Sequence, residues 1–351
     1  EHIALGWKMR IWMDALTPKQ LLLFSKLASI LESDMGAEVM ITARKTEEIF
    51  RINSLLGNKA ILVGTHGRTK FDKLLRDIER MKDLVGLIRD FSPDYLVSYP
   101  SPSSVRIAFG LSSKIVLYSD TPHAAHVHLL TVPLSNYLIF SSFIEKGKFL
   151  PYVPRGSRTF LLRYKGVEEL AWVNGYSPSE SSVKRLGLEP YSYVLVRPPE
   201  IFASYYSWGF EDFKELVKEL AKKVRVVLVP RYEDDSERYK GTNIEVIGEP
   251  MLGLDLEYYS IATISGGGTM SREASLLGVP SISLFPLKLD VDSGLRELGF
   301  PLYRALSSKD ALRFIYDVME GNIKRKKIEA SKILEHPVIP LKKVLLGDEA
   351  I

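Results

Sequence analysis

An α/β protein made of two successive parallel-sheet domains is predicted by three features of the sequence. β-branched apolar runs alternate with amphipathic segments of helical period through the first half. A stretch rich in turn residues follows, and beyond it the alternation begins again. Late in the second half, a glycine-rich turn joins a strand directly to a helix. At 351 residues, with 46% hydrophobic and 26% charged side chains, the chain has enough apolar material for two cores.

Composition excludes several classes. There is no cysteine, so disulfides, thiolate metal sites and cysteine nucleophiles are absent. No run of about 18 uncharged apolar residues appears, so no spanning helix is expected. Residues 1–8 carry no basic start followed by an apolar core, and Met9 is a candidate start; a cytoplasmic protein is expected. The absence of cysteine, a single glutamine (Gln20) and abundant Lys, Arg and Glu form a pattern found in proteins of hot environments. The net charge of +4 is small, and basic residues are dispersed except at Lys324, Arg325, Lys326 and Lys327. That run reads as a solvated helix face, and no nucleic-acid partner is expected.

In order along the chain, residues 10–13 form a strand and Pro18 opens a helix with Leu21, Leu22, Phe24, Leu27, Ile30 and Leu31 at helical spacing. Asp14 therefore stands at a strand's carboxyl end, where parallel sheets place ligands. It either binds a substrate hydroxyl, acts as a base, or caps a helix. A strand at 38–42, a helix at 45–56 and a strand at 60–63 lead to the loop GTHGRTK (64–70). That loop either touches an anionic acceptor or is a plain flexible connection before a long helix to about Phe91.

Strands at 95–98 and 114–118 flank a helix at 105–111, and the second strand runs into SDTPHAAHVH. Three of the six histidines fall in that segment, but their spacing matches no zinc pattern, and metal is not assigned. Asp120 and His123 are the acid/base or hydroxyl-binding candidates there, with structural roles open for His126 and His128. Strands at 137–141 and 159–164 close the first domain, 9–165. Turn residues Asn174, Gly175, Ser177 and Pro178 mark a linker, 166–190.

The second domain, 191–320, contains strands at 193–196, 224–229 and 244–247 and a helix at 211–223. Arg197 and Arg231 follow two of these strands and can each hold a phosphate by forked hydrogen bonds or form a surface ion pair. Then comes IATISGGGTMSREASLLGVPSISLFP (261–286). Without Cβ atoms on Gly266, Gly267 and Gly268, the backbone can approach a ligand, and the helix start favours an anion. A helix at 307–320 ends the second domain, and a helix at 322–334 with an extended tail makes up the terminal segment, 321–351.

This arrangement of two Rossmann-type domains facing across a cleft resembles the GT-B architecture. The stretches IWMDALTP, VGTHGRTKFDKLLRD, SDTPHA, YKGVEELAWV, LVRPPE, LVPR and SGGGTMSREASLLGVPSISLFP resemble the prokaryotic domain of unknown function 354 family over residues 10–321. That family is itself similar to the non-hydrolysing UDP-N-acetylglucosamine 2-epimerases and to MurG-like glycosyltransferases.

The resemblance implies a nucleotide-sugar site in the cleft. Gly266, Gly267, Gly268 and Thr269 would line the diphosphate and Glu273 would hold the ribose. Glu273 also reads locally as a first-turn carboxylate favoured by the helix dipole. Asp120 falls where the epimerases have a carboxylate, while Arg197 stands near the place of their histidine, and Pro18 is followed by Lys19 and Gln20 where family members often carry a histidine. The expected function is transfer of a sugar from a nucleotide-diphosphate donor, UDP-linked, to an acceptor that is a glycan, a lipid-linked sugar or a small molecule. Epimerisation, or binding without turnover, is the alternative. Arg197, Arg231 and the helix start would stabilise the leaving diphosphate without metal or cofactor, and Asp14, Asp120 or His123 would serve as base. A homodimer is a candidate assembly.

Overall fold

The computed structural model describes residues 8–199, 210–232, 234–248 and 253–347. The readings placed on residues 1–7 and on Glu200 lie outside them. The chain divides into two compact units, Glu1–Trp172 with Leu334–Ile351, and Val173–Ile333.

In the first unit, β1 (Arg10–Ala15), α1 (Pro18–Met35), β2 (Glu38–Ala43), α2 (Glu47–Leu55), β3 (Ala60–Leu62) and α3 (Lys70–Phe91) alternate. They are followed by β4 (Tyr95–Ser98), α4 (Pro102–Gly110), β5 (Lys114–Tyr118), α5 (Ala125–Leu129), β6 (Tyr137–Ser141) and β7 (Phe160–Tyr164). All neighbours pair in parallel, in the order β3-β2-β1-β4-β5-β6-β7. The central strands are buried on both faces, through Ile11, Trp12 and Met13 on β1 and Val116, Leu117 and Tyr118 on β5, as expected when helices cover both sides. Helix starts are set locally. Thr17, Thr46 and Thr69 each accept a bond from an N–H in the first turn of α1, α2 and α3, and Gly36 ends α1 in the left-handed conformation at φ 63°.

The short helices α6 (Leu170–Val173) and α7 (Glu180–Lys184) lead into the second unit. There β8 (Tyr193–Arg197), α8 (Phe210–Ala221), β9 (Arg225–Leu228), α9 (Asp235–Arg238) and β10 (Ile244–Val246) precede α10 (Leu254–Tyr258), β11 (Ala262–Ser265), α11 (Gly268–Leu276) and β12 (Ser281–Ser283). Helix α12 (Asp290–Glu297), β13 (Leu302–Arg304), α13 (Ser308–Met319), α14 (Ala330–Ile333) and α15 (Val338–Leu346) complete the chain. The second sheet is parallel in the order β10-β9-β8-β11-β12-β13. Val194, Val196 and Ile264 pack on one of its faces, and Leu195 and Val227 on the other with Val183 and Leu188 from the expected linker.

Both sheets thus repeat one strand order. The winding reverses between β1 and β4 in the first and between β8 and β11 in the second, and crevices for ligands form at the carboxyl ends of such strand pairs.

Two expectations for the end of the chain are corrected. The helix expected over 322–334 is only α14, and the expected tail is helix α15. Residues 322–329 form no helix and are tied down by tertiary bonds that local periodicity does not encode. Arg325, expected on a solvated helix face, donates from Nη1 to Tyr258 O (2.6 Å) and Ser260 O (3.1 Å), with its guanidinium over the rings of Tyr191 and Tyr258. Lys326 N donates to Gly278 O (2.9 Å), and a Cβ on Gly278 would lie 2.0 Å from Lys326 O.

Candidate functional site

In the first unit, Asp14, one residue before the end of β1, stands in register with Thr42 of β2 and Ser98 of β4, at the reversal point. It is fully buried. Oδ1 accepts from Thr42 Oγ1 (2.6 Å) and Arg80 Nη2 (2.5 Å), and Oδ2 accepts from Arg80 Nη1 (3.1 Å) and from the Ser104 hydroxyl. Arg80 also donates from Nε to Val63 O (2.9 Å). Asp14 therefore ties β2, α3 and α4 to β1, and its carboxylate is saturated with donors. Arg44, at the end of β2, donates to Leu16 O (3.0 Å), and burial together with Arg80 lowers its pKa.

Asp120 leads a loop that the protein holds in several places. Ser119 Oγ accepts from Thr121 N (3.3 Å) and lies 2.9 Å from His128 Nε2, while His128 Nδ1 lies 2.6 Å from Ala124 O. Tyr152 donates to Pro122 O (2.6 Å) and its ring stacks on His128. His128 is thus a structural histidine, and burial lowers its pKa. His123 and His126 are exposed. Among the described residues no group of three or more His, Asp or Glu side chains is arranged to hold a metal ion.

Asp120 faces a lysine. Lys19, in the first turn of α1, lies 2.6 Å from Asp120 Oδ2, 3.5 Å from Glu168 Oε2 and 3.3 Å from Glu169 Oε1. A cation at a helix N-terminus is disfavoured by the dipole, and these three carboxylates offset that cost. Glu168 and Glu169 follow β7 and are fully buried. Among the described residues neither oxygen of Glu168 has a hydrogen-bond partner, and burial pushes its carboxyl up to about 7, with Asp120 and Glu169 adding to the shift and Lys19 opposing it. This segment is laced to the chain's end: Glu335 N donates to Lys165 O (2.7 Å), and Tyr118 donates to Pro337 O (2.7 Å).

Lys19, Glu168 and Glu169 had been given no role from sequence. The available signal was two adjacent carboxylates inside the otherwise apolar run GVEELAWV.

This carboxyl has a consequence for stability. In the unfolded chain Glu168 ionises near 4.5, whereas in the fold it keeps its proton up to about 7. Its stabilising contribution is complete below the unfolded value and is lost as pH rises through the folded one. Glu168→Gln keeps a neutral group in place. The variant should gain melting temperature relative to wild type as pH is raised from about 5 to about 9. A difference that stays constant with pH would reject the buried-acid account.

In the second unit, Arg197 ends β8 opposite Ser265 of β11, and Gly266 N donates to Arg197 O (3.1 Å). The glycine turn follows. A Cβ on Gly266 would lie 2.1 Å from Pro199 Cα, so only glycine fits there. Ser265 Oγ donates to Gly267 O (2.9 Å) and accepts from Gly267 N (3.1 Å), pinning the turn. Gly267 is the N-cap of α11 and offers no side-chain acceptor, so among the described residues no side chain caps this helix start, and Thr269 stands in its first turn.

Two guanidinium groups close on this turn. Arg231, three residues beyond β9, donates from Nε to Pro198 O (3.0 Å), and its Nη2 lies 3.9 Å from a Cβ position on Gly267. Arg272 lies across Gly268, its Nη1 2.6 Å from the Cβ position there and 3.0 Å from Asp292 Oδ1. Arg272 was not among the residues expected from sequence.

Glu273, one turn into α11, hydrogen-bonds the carboxyl of buried Glu257 on α10. Burial and the Glu273 carboxylate push Glu257 well above the ordinary range, with Arg197 opposing. Arg197, Arg231, Gly266, Gly267, Gly268, Thr269 and Glu273 are therefore gathered at one sheet edge. Asp120 and Lys19 form the corresponding group of the first unit, with His123 exposed in the same loop and Asp14 engaged beneath.

Two parallel sheets of matching strand order, each with its charged residues at the carboxyl edge of the reversal, define an α/β protein of the GT-B fold. The chain belongs to the family described as Protein of unknown function (DUF354), whose profile matches residues 9–336. Uncharacterized protein MJ0665 of Methanocaldococcus jannaschii is 29% identical over 317 residues, covering 88% of this chain and 89% of that protein. In fold the chain is similar to UDP-GlcNAc 2-epimerase from Neisseria meningitidis bound to UDP-GlcNAc, with a TM-score of 0.70, 14% identity, and 97% and 100% of the two chains covered. It is also similar to the spinosyn forosaminyltransferase SpnP, with a TM-score of 0.59, 14% identity and the same coverage. Both fold neighbours are enzymes by name. No described helix is long and apolar enough to cross a membrane.

Proposed function

We propose that the chain is a glycosyltransferase of the GT-B type that takes a sugar from a UDP-linked donor. The observation that carries this reading is the turn at Gly266–Gly268, with an uncapped helix start behind it and the guanidinium groups of Arg231 and Arg272 beside it. Backbone N–H groups and two fixed positive charges suit a diphosphate, and they stabilise it most when it leaves with extra negative charge. Arg197 adds a third positive group at the same sheet edge. Glu273 would accept from the ribose hydroxyls, held in place by the Glu257 carboxyl.

For the acceptor side, Asp120 is the proposed base. Lys19 holds it in place by an ion pair, and the exposed His123 is the second candidate in that loop. Asp14 is proposed as a structural anchor, since its lone pairs are already engaged. The acceptor class (glycan, lipid-linked sugar or small molecule) and a cytoplasmic location belong to the same proposal.

One observation favours a second reading. Asp120, Glu168 and Glu169 gather around Lys19 with Glu168 titrating near neutrality, a set of acids that would also serve proton transfer at a sugar carbon in a 2-epimerase.

The test is a thermal-shift panel of UDP, GDP, TDP and CDP sugars, followed by product analysis. UDP and its sugars should raise the melting temperature, and Arg231→Ala and Glu273→Gln should each weaken UDP by about tenfold or more. With UDP-GlcNAc alone a transferase gives only slow hydrolysis, whereas formation of the manno epimer would select the second reading. No shift with any nucleotide sugar would end both.

A further inference from the structure

Residues 121–165 hold six lysines and arginines (Lys146, Lys148, Arg155, Arg158, Arg163 and Lys165) against a single acid, Glu145. The segment carries a net +5, more than the +4 of the whole chain, so the remaining residues together are slightly acidic. No two of these cations adjoin in sequence, and all six are exposed.

The same segment exposes large apolar side chains: Leu129 (54% exposed), Leu130 (62%), Leu150 (53%) and Phe160 (50%). The fold puts them on neighbouring elements. Helix α5 packs against residues 150–152, where the Tyr152 ring stacks on His128. Thr159 Oγ1 donates to Val132 O (3.1 Å) and Ser135 O (2.8 Å), joining the approach to β7 to the turn after α5. Leu150 and Phe160 line a recess of about 380 Å³ within the connection between β6 and β7, together with Tyr137, whose ring stacks on Phe160 at 5.6 Å.

Cations share this face. Lys146 lines the recess itself. The hydroxyls of Ser157 and Thr159 lie 2.8 Å apart on the inner side of the chain, so Arg158 and Phe160 alternate to its exposed side. Lys148 and Arg155 are exposed in the same connection. A nucleic acid or a free anion would engage the cations and leave the leucines in water. The interface of an anionic bilayer takes both, headgroup phosphates pairing with Lys and Arg while Leu and Phe enter the acyl boundary.

We infer that residues 129–160 form a docking surface for an anionic lipid bilayer, on which the first unit lies without crossing it. The inference goes beyond the proposed transferase activity and does not depend on it.

Flotation of the full chain with lipid vesicles is the test. The chain should float with phosphatidylcholine vesicles containing about 40% phosphatidylglycerol, should stay behind with phosphatidylcholine alone, and should be released by salt. Lys146→Glu with Arg158→Glu should weaken binding by about tenfold or more. Leu130→Ser with Leu150→Ser, both at exposed positions, should weaken it to a similar degree with unchanged circular dichroism. Lys324→Ala with Lys327→Ala removes two exposed cations from the basic run of the second unit and should float as wild type does. A wild type that fails to float at low salt, flotation unchanged by the charge or the leucine substitutions, or equal loss in the Lys324 and Lys327 control would each overturn the inference. So would tighter binding of a single-stranded oligonucleotide than of vesicles, which would assign the cations to nucleic acid.

Discussion

Arg80→Ala is expected to remove about 3–5 kcal/mol of stability, the largest effect of any single substitution described above. Arg80 is fully buried and donates to both oxygens of Asp14 and to Val63 O. Its stem runs beneath Gly64, where a Cβ would lie 2.6 Å from Arg80 Cβ, so the loop before α3 is moulded around this side chain. Without the guanidinium, the Asp14 carboxylate keeps the hydroxyls of Thr42 and Ser104 but has no fully buried counter-charge. Lysine should not rescue it, because an ammonium group cannot present the two parallel donors of the fork. Replacing both partners, as Asp14→Leu with Arg80→Met, should cost less than the two single changes together, since neither charge is then left alone. Urea unfolding of the four proteins decides the matter. A loss below about 1 kcal/mol for Arg80→Ala would mean that the pair contributes no more than a surface ion pair.

Gly266→Ala is expected to abolish UDP binding and to lower stability by about 1–3 kcal/mol. The added methyl would overlap Pro199 at three atoms, two of them backbone, so either β8's following loop or the turn before α11 must move. Movement of the turn displaces the N–H groups of the helix start from the proposed diphosphate, and displacement of about 1 Å is enough to lose most of such an interaction. Gly267→Ala is the matched control. Its Cβ would meet only Arg231 Nη2, at an ordinary contact distance of 3.9 Å, and its backbone is extended at φ −127°. That variant should keep wild-type stability and so controls for the fold alone, since Gly267 itself lines the proposed diphosphate. Calorimetric titration with UDP tests the pair, and equal binding by Gly266→Ala and wild type would remove the close backbone approach from the proposed function.

Much of the fold was legible because its signals are local. Val, Ile and Leu runs bounded by polar turns marked ten of the strands. Pro18 with Thr17 before it, and Gly36 after the apolar period, bounded α1 closely. The glycine turn could be read because strand, glycines and helix are consecutive. Short elements such as α10, α12 and β13 were not legible, since three to eight residues carry too little periodicity, and the helix of the terminal segment is held by contacts with β7 and α1 far away in sequence.

The candidate site divides in the same way. Arg197, Gly266, Gly267, Gly268 and Glu273 stand next to the strands that place them, so sequence order alone put them at one sheet edge. Arg231 follows its strand by three residues and reaches the turn through Pro198. Lys19, Glu168 and Arg272 needed the fold. Lys19 lies about a hundred residues from Asp120, and only the neighbouring of β1 with β4 and β4 with β5 brings α1's first turn to the loop after β5. Whether a carboxylate such as Asp14 is free or saturated is likewise invisible in a sequence, because burial and hydrogen-bond supply come from elements remote along the chain.

By itself, then, the sequence determined two α/β halves, the absence of cysteine chemistry, and a strand–glycine–helix turn, all through residues adjacent to one another. The tertiary structure decided which of two first-unit aspartates is committed to Arg80 and which meets Lys19, that Glu168 is held near neutrality, and that two guanidinium groups close on the glycines. Those are consequences of burial and of long-range pairing, where free energies depend on neighbours that the linear order does not name.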